Sequence, residues 1–111
     1  MPPSSYPDII KALPLIKTGL EGVSGWLAQG DSFQIVFFEV KAGRTIPPHS
    51  HREQFGFLIK GSLTLTIGDT THDLKTGDSY YIPAEVIHHG TFTSDTLAMD
   101  FFAEPNRYQI E

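Results

Sequence analysis

The chain has 111 residues, of which 40% are hydrophobic and 12% aromatic, so it is long enough for one domain with a single buried core. Its 13 acidic residues outnumber its 8 basic residues, the formal net charge is −5, and no cluster of Lys and Arg occurs. We therefore exclude nucleic acid and anionic membranes as expected partners. The absence of cysteine excludes disulfides, thiol catalysis and cysteine-based zinc sites. The sequence shows neither a signal-peptide pattern nor an apolar run long enough for a membrane span, which predicts a cytoplasmic protein.

The predicted elements follow a regular order along the chain. Residues 1–20 are expected to form an N-terminal arm, extended over residues 2–8, with one helical turn from Asp8 to Leu13 that Pro14 ends. Beyond the arm, short apolar or alternating segments are separated by turns rich in Gly, Asp and Pro. Strands are predicted at residues 23–29, 33–40, 49–51, 55–60, 62–67, 70–74, 79–82, 88–93 and 97–102. This pattern indicates an all-β barrel or sandwich that forms one domain over residues 21–111.

Four of the five histidines form two close pairs, His49 with His51 and His88 with His89. Residues two apart on a strand point to the same side, so His49 and His51 can converge on one metal ion. A divalent metal takes three or four nitrogen or oxygen donors, so a further ligand has to come from elsewhere in the chain. Adjacent strand residues face opposite sides, and only one of His88 and His89 can therefore point inward. Taken alone, His49 and His51 are more simply explained as ordinary polar residues on the exposed face of a strand.

Both pairs belong to longer motifs. The motifs, about 15 residues apart, are Gly43-x5-His49-x-His51-x2-Gln54-x6-Gly61 and Gly77-x5-Pro83-x-Glu85-x2-His88-x3-Phe92. Together they resemble the two sequence motifs of the cupin family, over about residues 33–103. The resemblance implies a double-stranded β-helix, or jelly-roll barrel, that holds one divalent metal ion, for which Fe, Mn, Ni and Zn are all suitable. The metal ligands it implies are His49, His51, a residue at position 53 or 54, and His88.

The third ligand position departs from the usual cupin pattern, which has Glu there. Counting back from Gly61 gives Gln54, and Glu53 lies beside it. Because adjacent strand residues face opposite sides, only one of the two can reach the metal. We favour Gln54, since some small cupins use Gln at this position, and Glu53 is the alternative. A neutral amide leaves a bound metal more positive, which favours Lewis-acid over redox chemistry. In the second motif, Glu85 replaces the usual Gly and Phe92 replaces the usual Asn.

The C-terminal run from Asp100 to Arg107 contains two further candidate site residues. If Ala98, Asp100 and Phe102 face inward, a carboxylate lies near the metal, although a surface carboxylate at a strand end is equally compatible with the pattern. The run resembles the Asp-x-Phe-x-Pro-x-Arg ending of KdgF-like uronate-processing cupins, with one extra residue before Pro105. That resemblance implies a 4,5-unsaturated monouronate as substrate, converted towards its open-chain keto form. Asp100 would then transfer a proton as a catalytic residue, and Arg107 would hold the substrate carboxylate.

The leading interpretation is a metal-dependent enzyme that acts on a small, polar, carboxylate-bearing molecule. A metal-dependent dioxygenase and a non-catalytic sugar- or small-molecule-binding cupin are the alternatives. The binding-protein alternative predicts a pocket without a proton-transfer residue near the metal. We also expect a homodimer, because the N-terminal arm and the segment Phe33–Phe38 offer more apolar surface than a small barrel can cover.

Overall fold

The computed structural model describes residues 5–111 and consists almost entirely of strands. One short helix, α1 (Asp8–Lys11), precedes them. The described residues form the strands β1 (Val23–Gln29), β2 (Gln34–Val40), β3 (Thr45–His49), β4 (Gln54–Lys60), β5 (Ser62–Ile67), β6 (Thr70–Lys75), β7 (Ser79–Ile82), β8 (His88–Phe92) and β9 (Thr96–Phe102). Apart from β3, every strand lies within one residue of its predicted bounds. The predicted extended arm over residues 2–8 falls partly on residues 1–4, which lie outside the described residues.

The strands form two antiparallel sheets. One has five strands in the order β1-β2-β9-β4-β7, and the other has four in the order β3-β8-β5-β6. Consecutive strands such as β5 and β6 are joined as hairpins, whereas β9 inserts between β2 and β4 and so links the two halves of the chain. This is the all-β jelly-roll architecture that the sequence predicts.

Alternating side chains decide which face of each strand is buried. On β5, Leu63 and Leu65 point inward and are 3% and 4% exposed, whereas Thr64 and Thr66 point outward. On β9, Ala98, Asp100 and Phe102 are the buried inward residues, as predicted, and Met99 and Phe101 are exposed between them. The inward rows of the two sheets enclose one apolar interior, and the few polar residues that face into it form the candidate site.

The N-terminal segment packs against the outer face of the five-stranded sheet. The Tyr6 hydroxyl donates to the carbonyl oxygens of Phe38 (2.9 Å) and Ala98 (3.2 Å). Its ring makes edge-to-face contacts with Trp26 and Phe37 at centroid distances of 5.9 and 5.7 Å. The segment therefore covers β1 and β2 of its own chain, and the boundary between residues 20 and 21 stays a prediction. Among residues 5–111, no helix is long and apolar enough to cross a membrane.

The structure corrects the prediction that His49 and His51 share a strand. β3 ends at His49, and His51 lies on the loop that leads to β4. The pairing of β3 with β8 is irregular between Ile46 and His49, because Pro47 and Pro48 have no backbone N–H to donate. The two imidazole rings still converge, with 5.2 Å between centroids. The shape of the loop, and not strand alternation, brings them together.

Candidate metal centre

Three histidines from the two motifs meet inside the barrel. His49 ends β3, His88 begins β8 directly opposite it, and His51 comes from the loop after β3. One ligand nitrogen from each ring lies within 4.8 Å of the other two. The ring of His88 is centred 4.2 Å from that of His49 and 4.7 Å from that of His51. This group could hold a metal ion. His89, the other member of the second pair, is exposed, whereas His88 is buried.

Backbone carbonyl oxygens fix the orientation of all three imidazoles. Each ring has its Nδ1 within hydrogen-bond distance of a carbonyl oxygen one or two residues away in the chain. The pairs are His49 with Pro47 (2.9 Å), His51 with Arg52 (2.6 Å) and His88 with Val86 (3.0 Å). A carbonyl oxygen only accepts, so each Nδ1 carries the proton and each Nε2 keeps its lone pair. A neutral imidazole with a tethered Nδ1–H and a free Nε2 is the usual form of a metal-binding histidine.

The pKa values of His51 and His88 agree with a role of these imidazoles in metal binding. Burial lowers the pKa of His88 to about 4, and burial also lowers the pKa of His51. Both rings are therefore neutral at pH 7, which is the state that coordinates a metal. Three imidazole nitrogen donors, with no cysteine in the chain, fit a divalent transition metal such as Zn, Ni, Mn or Fe.

Gln54 and Glu53 point to opposite sides of the sheet. Gln54 is 9% exposed, lines the interior cavity, and its Nε2 donates to Oδ1 of Asp100 at 2.8 Å. Glu53 is exposed and accepts a hydrogen bond from the hydroxyl of Tyr81 on the outer face. The structure thus turns the amide, and not the neighbouring carboxylate, towards the cavity that the histidines line. Ligation of a metal by Gln54 stays a prediction.

Asp100 forms the centre of a second polar group in the interior. Its Oδ1 accepts hydrogen bonds from Gln54 and from the hydroxyl of Tyr80, the latter at 2.6 Å. The carboxylate is 3% exposed. β9 pairs with β4 so that Asp100 lies opposite Gly56, and β4 pairs with β7 so that Gly56 lies opposite Tyr80. A Cβ atom on Gly56 would overlap both the Tyr80 ring and the Asp100 carboxylate, so the hydrogen bond between them requires glycine there.

The surroundings of Asp100 suit proton transfer. Burial raises the pKa of the carboxyl to about 6, although the hydrogen bonds from Tyr80 and Gln54 oppose that change. Both hydrogen bonds are made to Oδ1, and no donor among residues 5–111 reaches Oδ2. The second oxygen is therefore free to exchange a proton with a molecule in the cavity, at a pKa close to neutrality.

One cavity of about 670 Å³ joins the two polar groups, since the three histidines, Gln54 and Asp100 all line it. Arg107, which follows β9, lines the same cavity. Its guanidinium carbon lies 4.7 Å from the centre of the Tyr108 ring, and its buried Nε has no hydrogen-bond partner among the described residues. Every site residue predicted from the sequence therefore borders a single enclosed space.

Two residues of the site were not identified from the sequence. Nothing near Tyr80 in the sequence distinguishes it from an aromatic residue that packs in a short strand. Gly56 does carry a signal, because a glycine between Phe55 and Phe57 interrupts an otherwise apolar strand. Such a glycine indicates close approach of another group, and here it accommodates the pair formed by Tyr80 and Asp100.

Comparisons with known proteins agree with the fold. In solved structures, the chain is similar to KdgF from Halomonas sp., with 22% identity, a TM-score of 0.74 and coverage of 83% of this chain and 86% of that one. It is also similar to an RmlC-like cupin from Shewanella frigidimarina, with 20% identity, a TM-score of 0.77 and coverage of 93% and 90%. At these identities the likeness shows the fold alone.

Sequence comparison also identifies a curated relative and a family. The chain is 32% identical over 63 residues to H2HPP isomerase of Bacillus subtilis, which covers 56% of this chain. It spans only about a quarter (26%) of the length of that relative. Residues 36–103, more than half of the chain, match the family described as the cupin domain. With the jelly-roll topology and the three-histidine group in place, the chain belongs to the cupin family.

Proposed function

We propose that this cupin is a metal-dependent enzyme that moves a proton on a small, carboxylate-bearing substrate. The observation that carries the proposal is that a buried carboxyl with one free oxygen and three convergent imidazoles border the same cavity. A binding protein without catalysis needs no such carboxyl, and burying one without a use is costly. The presence of Asp100 therefore favours an enzyme over a sugar-binding module.

The metal would be held by Nε2 of His49, His51 and His88, with Oε1 of Gln54 as the proposed fourth donor. Gln54 uses its Nε2 to donate to Asp100, so its carbonyl oxygen remains available. A divalent ion bound by these neutral ligands supplies Lewis-acid polarisation of a substrate oxygen. The hydrogen bond from Gln54 to Asp100 also connects the metal ligands to the proton-transfer group.

Asp100 acts as the proton acceptor and donor. Its Oδ2 takes the proton from one substrate atom and returns it to another, while Tyr80 and Gln54 hold Oδ1 in place. Because both partners donate to Oδ1, they stabilise the ionised carboxylate, the form that exists before Oδ2 takes up the proton and after it gives the proton back. The apolar walls exclude water and keep the proton from being lost to solvent.

Arg107 holds the carboxylate of the substrate. It borders the cavity, its Nε is not used by any described residue, and the Tyr108 ring supports the guanidinium face. A guanidinium binds a carboxylate through two parallel hydrogen bonds, which fixes the substrate in position and orientation.

The first substrate class to test is the 4,5-unsaturated monouronates, as the C-terminal motif predicts. These molecules carry a carboxylate and an enol ether, so conversion to the open-chain keto form requires a proton to be added to carbon. Oxygen activation by a dioxygenase remains the competing reaction, and oxygen consumption with the same substrates distinguishes the two.

The test is the Asp100→Asn variant, which keeps an acceptor for both hydrogen bonds but cannot carry the proton. We expect turnover of an unsaturated monouronate to fall at least 100-fold, while the bound metal, measured by elemental analysis, stays at the wild-type level. Asp73→Asn, on the outer face of β6, is the matched control and should retain full turnover. Unchanged turnover in Asp100→Asn would remove Asp100 from the mechanism.

A further inference from the structure

We propose that the substrate is amphipathic, with a carboxylate at the histidine end of the cavity and a non-polar ring or alkyl group in the opposite half. This inference rests on the proposed use of the cavity as the substrate site. It narrows the substrate class, because a hydroxyl-rich molecule, a monouronate included, would match the inner walls described below less well than a carboxylate with a hydrocarbon group, which we therefore expect to be the better ligand.

The four-stranded sheet shows where the polar part of the cavity ends. On β8 the inward residues are His88, then Gly90, then Phe92. Leu65 of β5 pairs with Gly90, and Leu63 pairs with Phe92. Moving away from His88 along the barrel, the part of the wall formed by β8 and β5 therefore contains no hydrogen-bonding side chain. Gly90 has no side chain to occupy the space in front of the Leu63 side chain. A Cβ atom at this position would lie only 3.1 Å from that side chain.

The five-stranded sheet changes from polar to apolar at the same level. On β9 the inward residue next to Asp100 is Ala98, which pairs with Phe38 of β2. The following inward residue of β2 is Val40, which is 3% exposed. Ala98, Phe38 and Val40 all line the cavity. Both sheets thus contribute apolar walls at the end remote from the histidines.

The polar residues that border the cavity at this end are exposed, apart from the half-buried Thr18, whose hydroxyl already donates to the carbonyl oxygen of Val23 at 3.1 Å. Lys17, Arg44 and Thr45 border the cavity there, and all three are exposed. A hydroxyl group placed between the inner walls would lose its hydrogen bonds to water without gaining others. Such a loss weakens binding by about tenfold for each hydroxyl. A hydrocarbon group in the same place would be favoured by removal of its surface from water.

The test compares two carboxylates with the same ring size on the zinc-loaded protein. Cyclohexanecarboxylate has a bare six-membered ring, and glucuronate has a hydroxylated one. In isothermal titration calorimetry we expect cyclohexanecarboxylate to bind at least tenfold more tightly. Equal or tighter binding of glucuronate, or no binding of cyclohexanecarboxylate, would overturn the inference. Turnover by Asp100→Asn is a separate measurement, so a failure of the proposed proton transfer is distinguishable from a failure of this preference.

A matched pair of variants locates the non-polar group. Val40→Thr replaces a methyl group of the cavity wall with a hydroxyl group of nearly the same size. We expect this variant to weaken binding of cyclohexanecarboxylate about threefold to tenfold. Val36→Thr makes the same change on the same strand, at a residue that is fully buried but packs against Ile16, Leu27 and Phe102. It should leave the affinity unchanged. An equal effect of both variants would contradict the proposed position.

A different observation carries a second inference: we infer that the outer face of β9, β4 and β7 binds a second copy of this chain. Four large side chains are exposed there, Phe55 (49%), Tyr81 (53%), Phe101 (39%) and Met99 (36%). Cross-strand pairing places Phe101 next to Phe55 and Phe55 next to Tyr81 in one continuous row. The N-terminal segment covers a different part of this face, where Tyr6 packs with Trp26 and Leu97.

Area and charge both favour a second copy as the occupant. At about 200 Å² per aromatic side chain, the exposed fractions of the three rings amount to about 280 Å² of apolar surface. That is roughly a third of the 800 Å² that each partner buries in an interface of standard size, and it would form the apolar centre. The three rings carry no charge, and the carboxylate nearest to them, Glu53, accepts a hydrogen bond from the Tyr81 hydroxyl at the edge of the row, so two copies with a net charge of −5 can meet there with no carboxylate in the apolar centre.

Light scattering of the full chain tests this interface. We expect a dimer at micromolar concentration and at least a 100-fold weaker dimer for Phe55→Glu, which places one carboxylate from each copy in the contact. Thr64→Glu, on the outer face of the four-stranded sheet, should remain dimeric. A wild-type protein that is monomeric at a concentration of about 50 micromolar would overturn the inference. An unchanged dimer in Phe55→Glu would overturn it as well.

Discussion

The two sheets of the barrel differ on both their inner and outer faces. Inside, the four-stranded sheet and its adjoining loop supply the three imidazoles, whereas the five-stranded sheet supplies Asp100 and its two hydrogen-bond partners. Outside, the four-stranded sheet presents threonine hydroxyls that bond to neighbouring strands, as between Thr66 and Thr71 at 2.9 Å. The outer face of the five-stranded sheet presents exposed aromatic rings. One sheet is therefore suited to metal binding and solvent contact, and the other to proton transfer and association.

This difference implies that metal binding and proton transfer can be damaged separately. The imidazoles are fixed by carbonyl oxygens of their own loops, and none of those bonds involves the five-stranded sheet. The Asp100 carboxylate is fixed by the side chains of Gln54 on β4 and Tyr80 on β7, and both strands belong to the five-stranded sheet. Gln54 is the one residue that the proposed site assigns to both groups. Variants in either sheet should therefore affect different measurements.

The largest expected effect is on metal binding, from a variant in the four-stranded sheet. His88→Ala removes one of three nitrogen donors, and we expect at least a 100-fold loss of zinc affinity in a competition assay with a chromogenic chelator. His89→Ala changes the adjacent residue on the opposite, exposed face and is the matched control. Equal zinc affinity in the two variants would mean that the imidazoles do not form the site.

The second prediction concerns the five-stranded sheet alone. Gly56→Ala would push Tyr80 away from Asp100, because the added methyl group overlaps both. We expect at least a tenfold loss of turnover and a loss of roughly 1–3 kcal/mol in the free energy of unfolding, as is usual for overpacking. Zinc affinity should change less than threefold. Tyr80→Phe keeps the ring and removes only the donor, so it separates the hydrogen bond from the crowding. Loss of zinc in Gly56→Ala would show that the two sheets are not independent.

The third prediction concerns the dependence of stability on pH. Burial raises the pKa of Asp100 from 3.8 to about 6, so between these values the folded chain binds the proton more tightly than the unfolded chain does. The carboxyl of Asp100 therefore lowers the stability as the pH rises from about 4 to about 6. The Asp100→Asn variant cannot ionise, and its free energy of unfolding should exceed that of wild type by up to roughly 3 kcal/mol at pH 7.

Urea unfolding of the metal-free proteins at pH 3.5 and pH 7 measures this effect. The histidines titrate in both proteins, so their contribution largely cancels in the difference between variant and wild type. We expect the difference to disappear at the lower pH, where the Asp100 carboxyl is protonated in both the folded and the unfolded chain. A difference that stayed constant over this range would show that the Asn side chain acts through packing and not through charge.

The fold could be predicted from the sequence because its signals are local. Alternation within β5 and turn residues at Gly61 and Gly68 fixed its bounds, and the structure has the strand at the same residues, Ser62–Ile67. Alternation also predicted that only one of His88 and His89 points inward, and the motif spacing selected His88, which is buried whereas His89 is exposed. Such features depend on side chains that lie within a few residues of each other.

The parts of the site that were missed depend on long-range pairing. Tyr80 and Asp100 are 20 residues apart and meet only because β4 lies between their strands. That order of strands cannot be derived from any one segment, so Tyr80 had no local feature to distinguish it from a packing residue. His51 illustrates the opposite case, since the motif identified its role but the loop that positions it was wrongly predicted as a strand.

The smallest expected effect concerns the turn between β7 and β8, which is hydrogen-bonded to the loop of the first motif. Glu85 has a φ of 66°, in the left-handed region, and its N–H donates to the carbonyl oxygen of His51 at 2.7 Å. A side chain with a Cβ is strained there, whereas glycine is not, although glycine also loses more conformational freedom on folding. Glu85→Gly should therefore raise the free energy of unfolding by up to about 1 kcal/mol, measured by urea titration. Glu85→Ala keeps the Cβ and serves as the control, and an equal gain in both variants would assign the effect to the lost charge.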